Sequence, residues 1–158
     1  MSKTARVITV STRAAAGVYT DRSGPIIVES LREQGFEVSE PTVLPDGDQV
    51  SKALREAVDH DVAVVITSGG TGLSPDDHTP EQTRAVLDRE IPQLAASIAR
   101  YGQDHGVPTA VLSRGIAGTA GRTLIINLPG STGGARDGMA VIKPILQHAV
   151  SQIRGGDH

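Results

Sequence analysis

A chain of 158 residues with a formal net charge of -3 is long enough to bury one sizeable core and carries no run of Lys and Arg. That balance excludes the basic footprint of a nucleic-acid binder, and with Tyr19, Phe36 and Tyr101 as its aromatic residues the chain offers no stacking platform for single strands. Cysteine is absent, which rules out disulfides, thiolate catalysis and Cys-ligated zinc.

Taken in order, residues 1–4 read as loose and residues 5–11 as a first strand. Residues 21–34 place Ile27 and Leu31 one turn apart, with Gly35 as a C-terminal stop, and predict a helix. A partly alternating strand follows over 36–44. A helix over 49–60 is expected because Val50, Leu54, Ala57 and Val58 repeat at helical spacing. The β-branched run 61–68 predicts a strand buried on both faces. Thr79, Pro80 and Gln82 have the pattern of a cap, a first-turn proline and a capping-box partner, so a helix should open there. Pro92 then starts a helix over 93–103, and 109–112 and 122–128 are further strand candidates. Residues 135–153 complete the series as one helix bent at Pro144, and residues 155–158 form a loose tail.

Alternation of this kind predicts a single domain over residues 1–158, of α/β class, with a mostly parallel central sheet flanked by helices. No apolar run is long enough to span a bilayer, and the stretch before residue 10 is too brief for a signal peptide, so a cytoplasmic protein is expected. Ligands of such sheets sit beyond the carboxyl ends of the strands. Two loops at such ends stand out.

The first is Thr67-Ser-Gly-Gly-Thr-Gly-Leu-Ser-Pro-Asp-Asp-His-Thr-Pro-Glu81. Gly69, Gly70 and Gly72 permit close backbone approach and an anion-binding nest, while Ser68, Thr71 and Ser74 add hydroxyl donors. No Lys-Ser/Thr follows, so this is not a Walker loop, nor is it a dinucleotide fingerprint. Asp76 and Asp77 suit a helix start, with Mg²⁺ binding as the alternative for one of them. Asp46, in the turn after the second strand, reads by itself as a turn residue or cap, with a cation again the alternative. The second loop is Asn127-Leu-Pro-Gly-Ser131, where Pro129 and Gly130 turn the chain and Ser131 leads to a helix N-terminus suited to an anion.

Those motifs, with Val10-Ser-Thr-Arg-Ala-Ala-Ala-Gly-Val-Tyr-Thr-Asp-Arg-Ser-Gly-Pro25, Leu44-Pro-Asp46, Asp77-His-Thr-Pro-Glu81, Arg89-Glu-Ile-Pro92 and Leu112-Ser-Arg114, resemble the MogA/MoaB family of molybdenum-cofactor proteins, which includes the G domain of gephyrin and its plant counterpart. The likeness runs nearly end to end. It implies a molybdopterin-binding fold, usually trimeric, that transfers AMP from Mg·ATP to the terminal phosphate of molybdopterin. On that resemblance Asp46 and Asp77 hold Mg²⁺ and serve catalysis. Ser68, Gly69, Gly70, Thr71, Gly72 and Ser74 bind phosphate, and Pro129, Gly130 and Ser131 contact substrate. It also implies hand-over of the product to a MoeA-like molybdenum-inserting protein. Glu90 and Arg114 occupy motif positions and read equally as members of ion pairs. Asp76 stands where the family pattern more often has a basic residue, and Arg13, Arg22 and Arg136 are candidates to offset its charge. Competing readings are a MoaB-like paralogue that holds a pterin without adenylylating it and, more distantly, another nucleotide phosphotransferase.

Overall fold

The computed structural model describes residues 3–156. Along the chain run β1 (Thr4–Val10), α1 (Thr12–Ala15), α2 (Ser23–Glu33), β2 (Glu37–Val38), β3 (Thr42–Leu44), α3 (Asp48–Asp59) and β4 (Val64–Ser68). Then come α4 (Thr79–Arg84), β5 (Arg89–Glu90), α5 (Pro92–Asp104), a 3-10 turn (Pro108–Leu112), β6 (Ala117–Ala120), β7 (Thr123–Leu128), α6 (Thr132–Ile142) and α7 (Leu146–Ile153). The strands form one sheet ordered β2-β1-β4-β7-β6-β5, and β3 pairs with the carboxyl half of β1. Pairing is parallel from β2 to β7 and antiparallel through β6 and β5.

Strand periodicity divides the core into two. Val64 and Ile66 of β4 and Leu124, Ile126 and Leu128 of β7 face a layer made by Ile27 and Leu31, Ile98, Met139 and Ile142, and Leu146. Their neighbours Val65 and Ile125 face Val50, Leu54 and Ala57 of α3 instead. The result is a three-layer α/β sandwich. Because β4 and β7 are buried along their whole length, they read as continuous apolar runs rather than alternating ones.

Several expectations need correction. The 36–44 strand is two short strands, interrupted at Pro41, that pair with different parts of β1. Residues 109–112 form the 3-10 turn, not a strand. Pro108 starts it, and β6 already fills the antiparallel seat beside β7. β6 itself, Ala-Gly-Thr-Ala, has no β-branched run to announce it and is joined to β7 through Gly121 at φ +57. Thr79 is the first helical residue, not the cap. His78 precedes the helix without a side-chain cap, and the Gln82 amide oxygen accepts from Ser51 N–H at 3.3 Å. The last helix is two, separated at Lys143–Ile145 around Pro144, where a proline cannot continue the ladder. At the N-terminus Thr4 opens β1 and the Lys3 carbonyl accepts from Glu37 N–H, so these two are not loose. Met1, Ser2, Asp157 and His158, expected to be loose, lie outside the described residues.

From β1 the chain passes through α2 to β2 and β3 on one side, and from β3 it returns through α3 to β4 on the other side of β1. The strand order reverses there, and the carboxyl ends of β1, β3, β4 and β7 open at the same sheet edge.

Candidate active site

A cleft of about 1540 Å³ lies at that edge, walled by the loop after β1, the glycine loop after β4, the loop before α6, and the inner face of α5. Gly69 (φ +104) and Gly70 (φ +69) both adopt left-handed backbone. A Cβ on Gly69 would strike the Val10 carbonyl, and one on Gly70 would strike Thr79 Oγ1 and Asp46 Oδ2. On Gly72 it would meet Asp77 Oδ2 at 2.8 Å. Gly69 and Gly70 are therefore required by backbone conformation and close contact, and a side chain at Gly72 would displace the Asp77 carboxylate.

The loop is pinned from behind. Gly69 N–H donates to Leu128 O (2.9 Å), while Gly70 O accepts from Thr79 N–H (3.1 Å) and Thr71 O from Arg114 N–H (2.7 Å). The Arg114 guanidinium gives Nε to Gly72 O (2.8 Å), Nη2 to Asp77 O (2.8 Å) and Nη1 to Glu81 (2.7 Å). With the carbonyls occupied, the amides of Gly70, Thr71 and Gly72 have no acceptor among the described residues. Consecutive free amides of this kind make an anion nest. Arg114 also holds the Glu81 carboxyl below its ordinary range through that hydrogen bond.

Asp46 and Asp77 come to this loop from different parts of the chain, Asp46 beside Gly70 and Asp77 beside Gly72. Asp46 follows β3; its N–H donates to Thr12 Oγ1 (3.2 Å) and its Oδ1 accepts from His78 N–H (3.0 Å). It does not cap α3, whose N-cap is Gly47. Burial raises the Asp46 carboxyl above its ordinary 3.8 and the nearby Asp77 charge adds to this, while the hydrogen bond from His78 and its charge oppose it. Asp77 Oδ2 accepts from Ser74 N–H (3.2 Å).

Ser68, Gly69, Gly70, Thr71, Gly72, Pro129, Gly130, Ser131, Asp46 and Asp77 all line the cleft, and Ser74 does not. Ser74 instead closes the loop, accepting from Asp77 N–H and, through Oγ, from Asp76 N–H. The Ser68 hydroxyl is buried, donating to Pro129 O (3.0 Å) and paired with Ser23 Oγ (2.8 Å), so it ties the loops together and is not a free donor. Gly130 lies so near Gly69 that a Cβ would sit 3.2 Å from its Cα. Ser131 caps α6, its Oγ accepting from Gly134 N–H (2.9 Å). Of the three candidate arginines, Arg13 and Arg22 line the cleft and Arg136 does not. Glu90 is the ion-pair partner of Arg84 (2.8 Å).

The lining residues not singled out from the sequence include Thr12, Asp21 and Asp137. Asp21 lies in a quoted motif, but its role as acceptor for Thr9 Oγ1 (2.8 Å) and Gly24 N–H (3.0 Å) depends on β1 and α2 meeting. For Asp137 the available signal was its place four residues after Gly133, on the same helix face as the anion loop.

The cleft is acidic. Asp21, Asp46, Asp76, Asp77 and Asp137 outnumber Arg13 and Arg22 along its walls. No group of three His, Cys, Asp or Glu side chains forms a cation cage among the described residues. Asp46 Oδ2 and the Asp77 carboxylate flanking an anion nest do fit Mg²⁺, which takes one or two carboxylates and completes its shell with water and substrate phosphate.

The family described as "probable molybdopterin binding domain" matches residues 6–148. The chain belongs to that family. Within this molybdopterin-binding-domain family, it is 36% identical to a molybdopterin adenylyltransferase of Helicobacter pylori, over 94% of this chain and 86% of that protein. A solved structure described as the anomalous substructure of MogA superposes with a TM-score of 0.93 at 58% identity, covering 96% of this chain and 99% of the other. MoaB of Thermus thermophilus, described as a molybdopterin biosynthesis enzyme, gives 0.89 at 42% identity over 98% of each chain. Longer relatives match too. The chain spans 49% of a molybdenum cofactor biosynthesis bifunctional protein of Chlorobaculum tepidum, to which it is 36% identical over 96% of its own length.

Proposed function

We propose that this chain is a molybdopterin adenylyltransferase of molybdenum-cofactor biosynthesis. A terminal phosphate oxygen of molybdopterin attacks the α-phosphorus of ATP, the bond to the β-phosphate oxygen breaks, and adenylyl-molybdopterin and pyrophosphate leave. The observation that carries this reading is the glycine loop with its free Gly70, Thr71 and Gly72 amides, flanked by Asp46 and Asp77.

Such a transfer needs alignment and charge neutralisation, not a protein nucleophile. The free amides of Gly70, Thr71 and Gly72 grip phosphate, and the Pro129-Gly130-Ser131 turn borders the substrate. Asp46 and Asp77 hold Mg²⁺, which when bound would neutralise the phosphate charge that the acidic walls repel. Arg13 and Arg22 supply the remaining positive charge at the rim. Cytoplasmic location, a homotrimer, and hand-over to a MoeA-like molybdenum-inserting protein belong to the same proposal; no helix among the described residues is long and apolar enough to cross a membrane.

The test is incubation of the purified protein with molybdopterin, ATP and Mg²⁺, followed by assay of adenylyl-molybdopterin and pyrophosphate. Product that depends on Mg²⁺ supports the transferase. Pterin binding without product would establish the non-catalytic, MoaB-like reading in its place.

A further inference from the structure

Between the glycine loop and the far end of the cleft runs a wall of different chemistry. α5 contributes Ala95, Ile98, Ala99 and Gly102, spaced to lie on one helix face. Gly102 packs so closely on the 3-10 turn that a Cβ would stand 2.8 Å from the Ala110 Cβ, which leaves this wall flat and apolar. α6 packs beside it and turns Gly133, Gly134 and Asp137 to the cleft.

Asp137 differs from the other half-buried carboxylates of the cleft, Asp76 being exposed. Asp21, Asp46 and Asp77 each accept a hydrogen bond from the protein. Asp137 is half-buried and has no hydrogen-bond or ion-pair partner among the described residues. A half-buried carboxylate with no protein donor keeps its acceptor sites open to a ligand that brings donors.

We propose that Asp137 reads the pyrimidine edge of the pterin and thereby sets the pterin end of the cleft at the α5–α6 wall, an inference that rests on the molybdopterin reading above. A pterin presents its 2-amino group and N3–H side by side, two parallel donors that match a carboxylate bidentately, and its flat ring suits the small apolar face of α5. Adenine presents one amino donor beside the lone pair of N1, so the same carboxylate disfavours it. Polyphosphate is repelled outright. Asp137 also lies within reach of the phosphate site: it is about one and two-thirds turns beyond the Ser131 cap, about 9 Å at 1.5 Å per residue. The Ser131 loop itself touches the glycine loop through Gly130 and Gly69.

The experiment compares 6-hydroxymethylpterin with 6-hydroxymethyl-lumazine, in which oxygen replaces the 2-amino group, by fluorescence titration of the wild type and of Asp137→Asn. The expected result is a preference for the pterin of about tenfold or more in the wild type, lost in the variant. In the full reaction the variant should raise KM for molybdopterin and leave KM for ATP in place. Equal binding of the two probes by the wild type, or an undiminished preference in Asp137→Asn, would overturn the assignment. The two readings fail separately. Pterin preference without adenylyl transfer sinks the enzyme and keeps Asp137, whereas transfer with unchanged KM in the variant does the reverse.

Discussion

Asp46 and Asp77 both border one glycine loop, yet their surroundings differ. Burial raises the pKa of Asp46, so its charge is held at a cost in the folded state. Asp46→Asn should therefore keep the bond from His78 N–H, melt at or above the wild-type temperature, and lose turnover by about a hundredfold or more. Asp77→Asn should lose turnover similarly with little change in melting. Full activity in both variants would exclude the two-carboxylate mechanism. Arg114 acts at one remove, since its three guanidinium bonds fix Gly72, Asp77 and helix α4 together. A lysine offers a point charge, not a fork, so Arg114→Lys should fold yet lower kcat roughly ten- to a hundredfold. A kcat equal to wild type would show that the loop holds its shape without the clamp. Arg114 was visible in the sequence as a motif residue, but its three partners are residues 33 to 42 positions away and no local pattern announces them.

At the scale of elements, the turn from α3 into β4 gathers distant parts of the chain on Asp61. Its φ of +55 is left-handed, and its carboxylate binds Arg122 at the β6–β7 turn (2.9 Å) and Arg154 after α7 (3.2 Å). Those arginines, the hydrogen bond from Arg122 first, hold the Asp61 carboxyl below its ordinary 3.8. A depressed carboxylate contributes stability above its unfolded pKa and loses it as pH falls through the folded one. Asn tolerates left-handed backbone, so Asp61→Asn isolates the charge. Thermal melts should place the variant below the wild type at neutral pH, and the gap should close as the pH drops below the ordinary carboxylate range. A gap constant with pH would assign the effect to backbone strain. The short strands β5 and β6 were hard to read for a different reason. β5 has two residues and β6 is Ala-Gly-Thr-Ala, so each is a strand through its pairing rather than through propensity. By contrast β4 and β7, buried throughout, are legible from their residues alone.

For the molecule as a whole, the cleft exists because the strand order reverses at β1 and four strand ends open at one edge. Its walls carry more carboxylates than guanidinium groups, so the proposed transfer, which gathers the molybdopterin phosphate and the ATP triphosphate in one cleft, needs a cation. Chelation should abolish adenylyl transfer, and Mg²⁺ should restore it; turnover that survives chelation would mean that Arg13 and Arg22 suffice. The apolar partition between the two faces sets stability instead. Ile126→Ala, in a strand with no exposed residue, should cost about 2–5 kcal/mol by urea denaturation while leaving the cleft geometry to act.

From the sequence alone came the α/β class, most helices and central strands, the glycine loop, the turn before α6 and, through resemblance, the pair Asp46 and Asp77. Those features rest on local propensity, period and motif, which the chain carries wherever it is folded. Only the tertiary structure decided that the amides of Gly70, Thr71 and Gly72 are free, that Ser68 and Ser74 are engaged structurally, and that Asp137 faces the cleft unpaired. Hydrogen-bond satisfaction is a property of what surrounds a group, and these surroundings come from segments tens of residues apart, brought together by a sheet whose register no single stretch of sequence contains.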